Sequence, residues 1–277
     1  GTYRMVDMTG SLAAQGIIGI LAPADYISYN ILAILCCAAL LPITLTTTSQ
    51  PETPKSLRLR PKLAFTRSPL AVAGVIVAAL SSASFRMVGP IYGQEMGLTA
   101  AEIAWFLAAF VIGGAFAQLP VGWIADKFDR RKVLIWLSVA AIISCGITLS
   151  LASTGVFGIL LSSAFFGLTT FPIYSVAAAH AHDFASSDER VELSAALMFW
   201  FAMGAIAAPY AASVLIENYG PEAMFVMLAA GHASLIIFGL SRMLAGRTAL
   251  RRTAYVNAPR TSFVVGRLFR KEREKFK

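Results

Sequence analysis

The sequence predicts an all-α protein that crosses a membrane several times, and three observations carry that prediction. Apolar runs of about 20 residues, the length that crosses a hydrocarbon core about 30 Å thick, follow one another along most of the chain. Only 14% of the 277 residues are charged against 57% hydrophobic. A soluble domain carries charge on roughly a quarter of its residues. The charges present are bunched between the apolar runs, and the bunches alternate between basic and non-basic.

Taken in order, the runs delimit eight spans at 3–21, 26–46, 70–92, 102–124, 133–152, 157–180, 191–216 and 224–244. In the first, Arg4, Asp7, Ser11 and Gln15 are spaced for one helix face. A polar stripe turned to lipid is costly, so this face looks onto protein or a water-filled cavity. The alternative is a short stripe at the membrane mouth with only Gln15 at depth. The second span, with ILAILCCAALL, is almost featureless. Residues 46–69 then read as a linker, polar and basic with four prolines and no apolar period. The third span contains Arg86, either a functional group within the membrane or an arginine snorkelling to the outer interface. The fourth ends in the stretch GWIADKFDRRKVL, which opens the equally featureless fifth. Thr170, Pro172 and Tyr174 interrupt the sixth, and Gly204 and Pro209 the seventh. Such breaks mark moving or binding elements in transporters, or close helix packing through small residues. The eighth holds one ionisable side chain before Arg242, His232.

Charge sets the orientation. Of the 23 Lys and Arg, all but Arg86 fall at the opening of the first span, in the linker, in the fourth-to-fifth and sixth-to-seventh connections, and in the tail from Arg242. The other connections hold none. The positive-inside rule therefore puts the basic side in the cytoplasm. The net charge of +8 then reads as topology and contact with anionic lipid. The basic tail lacks the aromatic or motif pattern of a nucleic-acid binder. Cys36, Cys37 and Cys145 lie within spans with no redox or ligand spacing, so no disulfide is expected. His180 and His182 are two apart, on different helix faces, and no metal or other cofactor is implied. The chain opens Gly1-Thr2-Tyr3 without a methionine and is expected to be part of a longer protein.

One local choice looks wrong for a helix. Arg130, Arg131 and Lys132 stand at the start of the fifth span, where cations oppose the macrodipole by roughly 0.3–1 kcal/mol each. The stretch that contains them, Gly122, Asp126, Lys127, Asp129, Arg130, Arg131 and Lys132 before an apolar helix, resembles the cytoplasmic loop signature of the major facilitator superfamily. That pattern is Gly-x-x-x-Asp-(Arg/Lys)-x-Gly-(Arg/Lys)-(Arg/Lys). Asp129 stands where the second glycine is usual, leaving the loop conformation to be seen.

In that family the signature lies between helices 2 and 3 and again between helices 8 and 9. The resemblance implies that the eight spans are family helices 5 to 12, the first four belonging to missing N-terminal helices of the same protein. It divides the chain into the last two helices of the N-terminal bundle (1–46), a cytoplasmic linker (47–69), a six-helix C-terminal bundle (70–245) and a basic cytoplasmic tail (246–277). The Arg86 and Tyr174 spans then border the central cavity, with Asp7, Ser11, Gln15, Arg86 and Tyr174 as pathway residues. The signature residues form a conformational gate, and Arg4 is the expected partner of Asp126. The function implied is secondary transport of a small solute across the cell membrane by alternating access, without enzymatic chemistry. A membrane sensor or scaffold that keeps the transporter fold without transport is the alternative.

Overall fold

The computed structural model describes residues 26–45, 59–152, 154–186 and 188–244, with Gly10, Ala13 and Ile17 placed singly in helix. The polar stripe of the first span and the tail thus lie outside the described residues, and so do Arg4, Asp7, Ser11 and Gln15. All regular structure among the described residues is helical.

The first helices whose bounds lie among the described residues are two short ones, α1 (Tyr26–Ala38) and α2 (Leu41–Thr44). The single second span expected from the apolar run is therefore divided. Pro42 has no N–H to offer the Ala38 carbonyl, and its ring crowds that group. At 1.5 Å per residue α1 reaches only about 20 Å. The expected linker also holds structure, α3 (Pro61–Arg67), which opens on Pro61, at home in a first helical turn. Its Phe65 ring packs edge-on against Trp200, whose Nε1 donates to the Pro61 carbonyl at 3.0 Å.

Six long apolar segments follow, each long and apolar enough to cross a membrane. They are α4 (Pro69–Glu95), α5 (Ala100–Lys127), α6 (Arg130–Leu151), the pair α7 (Val156–Thr170) and α8 (Ile173–His182), α9 (Arg190–Tyr219) and α10 (Ala223–Leu244). Their ends are set locally. The Ser68 hydroxyl accepts from Ala71 N–H to start α4. Thr99 and Glu102 form a capping box at the start of α5. Gly220, at φ +87° and ψ 172°, takes a positive-φ backbone open to glycine and closes α9, its N–H bonding the Ile216 carbonyl. The sixth span breaks at Phe171–Pro172, because Pro172 cannot donate to the preceding turn.

Lipid tails are as apolar as leucine, so close packing rather than hydrophobic transfer joins these helices. Helix α5 lies along α7, α4 along α9, and α6 along α10. The α5–α7 contact is reciprocal. A Cβ on Gly113 would run into the Ala164 carbonyl oxygen, and one on Gly167 into the Phe110 carbonyl oxygen. Around it stack Phe85, Phe106, Phe110 and Phe166, with Tyr92 and Phe225 at the edge. Toward the basic end the core changes to small and aliphatic side chains, such as Ala125, Val133, Leu134, Ala177 and Leu197. Helix α9 is the least enclosed span, and Met203, Ile206, Tyr210 and Val214 line its outer face.

Candidate functional site

The signature stretch folds into a two-residue turn. Helix α5 ends at Lys127, where Phe128 turns extended while its N–H still bonds the Ile124 carbonyl. Asp129 follows with φ −62° and ψ 119° and caps α6, its carboxylate accepting from Arg131 N–H at 3.0 Å. That backbone is open to any residue, so the turn does not need the glycine usual at this place. The aspartate adds a cap that glycine cannot supply. Burial works to raise the Asp129 pKa, and the Arg131 side-chain and backbone hydrogen bonds outweigh it, leaving the carboxyl below its ordinary value.

Arg130 is 2% exposed. Its guanidinium donates to Asp183 Oδ1 at 2.5 Å, to the Ala179 carbonyl at 3.1 Å and to Asp126 Oδ1 at 3.4 Å. The first two acceptors end α8, where Asp183 is the C-cap. A cation that opposes the dipole of its own helix thus completes the C-terminus of another, where cations are favoured. Arg131 grips Asp129 with Nε at 3.2 Å and Nη2 at 2.8 Å. Lys127 lies 3.8 Å over the ring of Trp123, within cation–π range, and Lys132 is exposed. Of the three cations that look misplaced in the sequence, Arg130 and Arg131 are thereby held by carboxylates and a helix C-terminus, while Lys132 stands exposed.

Other ion pairs extend the cluster toward α3 and the start of α9. Arg67 pairs with Glu189, and Arg60 with Glu192 at 3.4 Å. The Arg67 hydrogen bond is the main reason the Glu189 carboxyl sits below its ordinary range. His180 rests edge-on against Phe184, and His182 Nε2 lies 3.2 Å from the Ser194 hydroxyl. Among the described residues no group of three or more potential ligands could hold a metal ion.

Gly122 is buried in α5, and Asp126 is half exposed, bound to Arg130. The expected Asp126 partner, Arg4, lies outside the described residues. Asp183 and the Ala179 carbonyl are the acceptors that sequence reasoning missed. A signal was present. Asp183 is an acid at a helix C-terminus, as unfavourable locally as a base at an N-terminus, and both fall at the basic end of the bundle.

Arg86 starts roughly 25 Å along α4 from that end, at 1.5 Å per residue. Helical side chains lean toward their N-terminus, here toward the basic end of the bundle. Its guanidinium lies 5.9 Å from the ring centre of Phe171, at the α7–α8 break. This places the charge beside the middle of the α7–α8 segment, on an exposed part of α4. Tyr174, by contrast, is 5% exposed. Its ring meets Phe201, and its hydroxyl donates to Met198 Sδ at 3.2 Å, tying α8 to α9 within the core.

Comparison with known proteins agrees with this geometry. An uncharacterized MFS-type transporter of Yersinia enterocolitica, YE1530, is 25% identical over 229 residues, 82% of this chain and 59% of that protein. One from Yersinia pestis strain Pestoides F is 27% identical over the same shares. The uncharacterized MFS-type transporter YcaD of Escherichia fergusonii is 27% identical over 198 residues, 70% of this chain and 50% of its own. The chain thus spans between 50% and 59% of the length of these relatives. The sequence model of the Major Facilitator Superfamily matches residues 70–273. Because that match takes in the six long segments and the signature turn with its ion pairs, this multi-pass membrane chain belongs to the major facilitator superfamily.

Proposed function

We propose that the protein is a secondary transporter that moves a small solute across the cell membrane by alternating access. This chain contributes the six-helix C-terminal bundle at 70–245, and residues 1–46 close an N-terminal bundle that begins upstream. The basic loops, the linker at 47–69 and the tail at 246–277 face the cytoplasm. Arg130 carries the reading, because one buried guanidinium ties the signature turn to the end of α8 and to Asp126.

In this scheme the clasp is one half of a gate. Asp126, still half exposed, adds a second contact to the Arg4 end of the first span when the cytoplasmic side closes, and loses it when the bundles rock apart. Lys127, Asp129, Arg131 and Lys132 hold the turn and meet lipid headgroups or loop carboxylates. Gly122 lets a neighbouring helix close in. The exposed face of α9, Arg86, and the stripe of Asp7, Ser11 and Gln15 border the pathway, while Tyr174 braces it from behind.

The test is uptake into proteoliposomes by the full-length protein under imposed proton and sodium gradients. The assay uses a panel of labelled sugars, amino acids, organic cations and organic anions. Accumulation of a solute class that collapses with the gradient is expected. No gradient-dependent movement of any class, from protein shown to be inserted and folded, would contradict the proposal.

A further inference from the structure

Beyond the clasp, the basic end of the bundle carries a second feature, a small cleft between α3, α4, α6, α8 and α10. It is lined by Arg67, Arg131, His180 and Arg242 together with the residues that open α4, Ser68, Pro69 and Leu70. We propose that this cleft is a binding site for a phosphate oxyanion. The proposal rests on the cleft alone and holds whether or not the protein transports.

Four features of the cleft point to an anion. Three arginines from three different helices converge on it, and the nearby acids among the described residues are each engaged, Glu189 by Arg67, Asp129 by Arg131 and Asp183 by Arg130. Arg242 makes no ion pair among the described residues, so its charge is left over. The cleft also opens on the N-terminus of α4, a 27-residue helix whose positive dipole end favours phosphate. Finally, His180 is 6% exposed, lines the cleft and makes no hydrogen bond among the described residues. Its ring nitrogens are not sealed from solvent, so an oxyanion that enters the cleft can accept from the imidazole N–H.

Size narrows the ligand class. The free volume is about 30 Å³, room for roughly two waters or the oxygens of one phosphate and far below an organic-solute pocket. A planar guanidinium binds phosphate through paired N–H groups. Such an oxyanion could come from an anionic phospholipid headgroup or from soluble phosphate.

The experiment uses the full-length protein. Retained lipid is counted by native mass spectrometry after exchange with phosphatidic acid, phosphatidylglycerol or phosphatidylcholine. Inorganic phosphate is titrated separately into lipid-depleted protein. Arg242→Gln is compared with Arg242→Lys and with the charge-matched control Arg60→Gln, which lies outside the cleft. The expectation is one anionic ligand, weakened by at least about fivefold in Arg242→Gln, which is a loss of about 1 kcal/mol, largely kept in Arg242→Lys and unchanged in Arg60→Gln. Dependence on Arg242 for lipid only identifies a headgroup, and for inorganic phosphate as well a soluble ligand; both support the site. Equal binding by wild type and Arg242→Gln for every probe, or equal losses in Arg242→Gln and Arg60→Gln, would overturn it. Hydrogen exchange of the wild type gives a measure that needs no variant. Saturating phosphatidic acid, phosphatidylglycerol or inorganic phosphate should slow exchange at the first amides of α4, and no change there with any of the three would equally overturn the proposal.

Discussion

Replacing Arg130 by methionine, which keeps most of the volume and removes the charge, should destabilise the bundle far more than its place near a helix end suggests. The reason is what it leaves behind. The side chains of Arg130 and Asp183 are only 2% and 5% exposed, so Asp183 would remain as a buried carboxylate without its cation. Removing one partner of a buried pair costs roughly 3–5 kcal/mol, mainly through the charge left uncompensated. The Asp126 contact adds little, because that carboxylate is 47% exposed and exposed pairs contribute about 0–1 kcal/mol. The Asp183→Asn change alone removes the buried counter-ion of Arg130, leaving it the Ala179 carbonyl and the half-exposed Asp126. The double variant strands neither, so it should recover part of the loss, giving a coupling energy of about 2–3 kcal/mol in a thermodynamic cycle. The assay is reversible unfolding in mild detergent, followed by helical circular dichroism for all four proteins. Single losses below about 1 kcal/mol that simply add would refute the claim that this pair is buried and coupled.

Further outcomes follow from the same contacts. Asp129→Gly, which restores the residue usual in the family signature, should destabilise rather than stabilise. It removes the α6 cap and the Arg131 grip at a backbone that needs no glycine, and Asp129→Ala should cost about 1 kcal/mol by the same unfolding assay. The Asp129 carboxyl is depressed in the fold, so its stabilising contribution is present above the unfolded value, near 3.8. That contribution is lost as pH falls through the lower folded value. An acid titration of melting temperature should therefore be flatter below about pH 4 in Asp129→Asn than in wild type. Gly167→Ala and Gly113→Ala each push a methyl group against a carbonyl of the facing helix, and each should lose about 1–3 kcal/mol. Gly146→Ala, with nothing within 4 Å of the added group, should lose none. Arg86→Gln should abolish solute uptake by the full-length protein while leaving its melting temperature within about 2 °C of wild type, since an exposed side chain contributes little to stability.

Much of this architecture can be read from the chain, and the exceptions have physical causes. The six long segments announce themselves through unbroken apolar length, and their ends through Ser68, Thr99, Asp129 and Gly220, which act locally. The break at Phe171–Pro172 is equally local. Pro42 also stands in plain view, but a long apolar run hides the division it imposes on residues 26–46. Helix α3 escapes because seven residues show no period, and its support is tertiary, from Trp200 some 139 positions away. The partner of Arg130 escapes for the same reason, since Asp183 is 53 positions off. Yet two locally unfavourable choices, bases at the start of α6 and an acid at the end of α8, coincide at one end of the bundle. Each is satisfied by the other, and that pairing of opposed defects is a readable sign of a selected contact. The inward reach of Arg86 depends on the helix direction, which the basic connections supply.

The gate requires the clasp, the linker and the tail to share one side of the membrane. Single cysteines at Lys62, Lys132 and Thr154, in a chain whose Cys36, Cys37 and Cys145 are serine, can be labelled in intact cells with a maleimide that does not cross the membrane. Labelling at Thr154 alone, with Lys62 and Lys132 reacting only after the cells are opened, is the predicted result. Labelling of Lys62 and Lys132 from opposite sides would contradict the topology and the gate built on it.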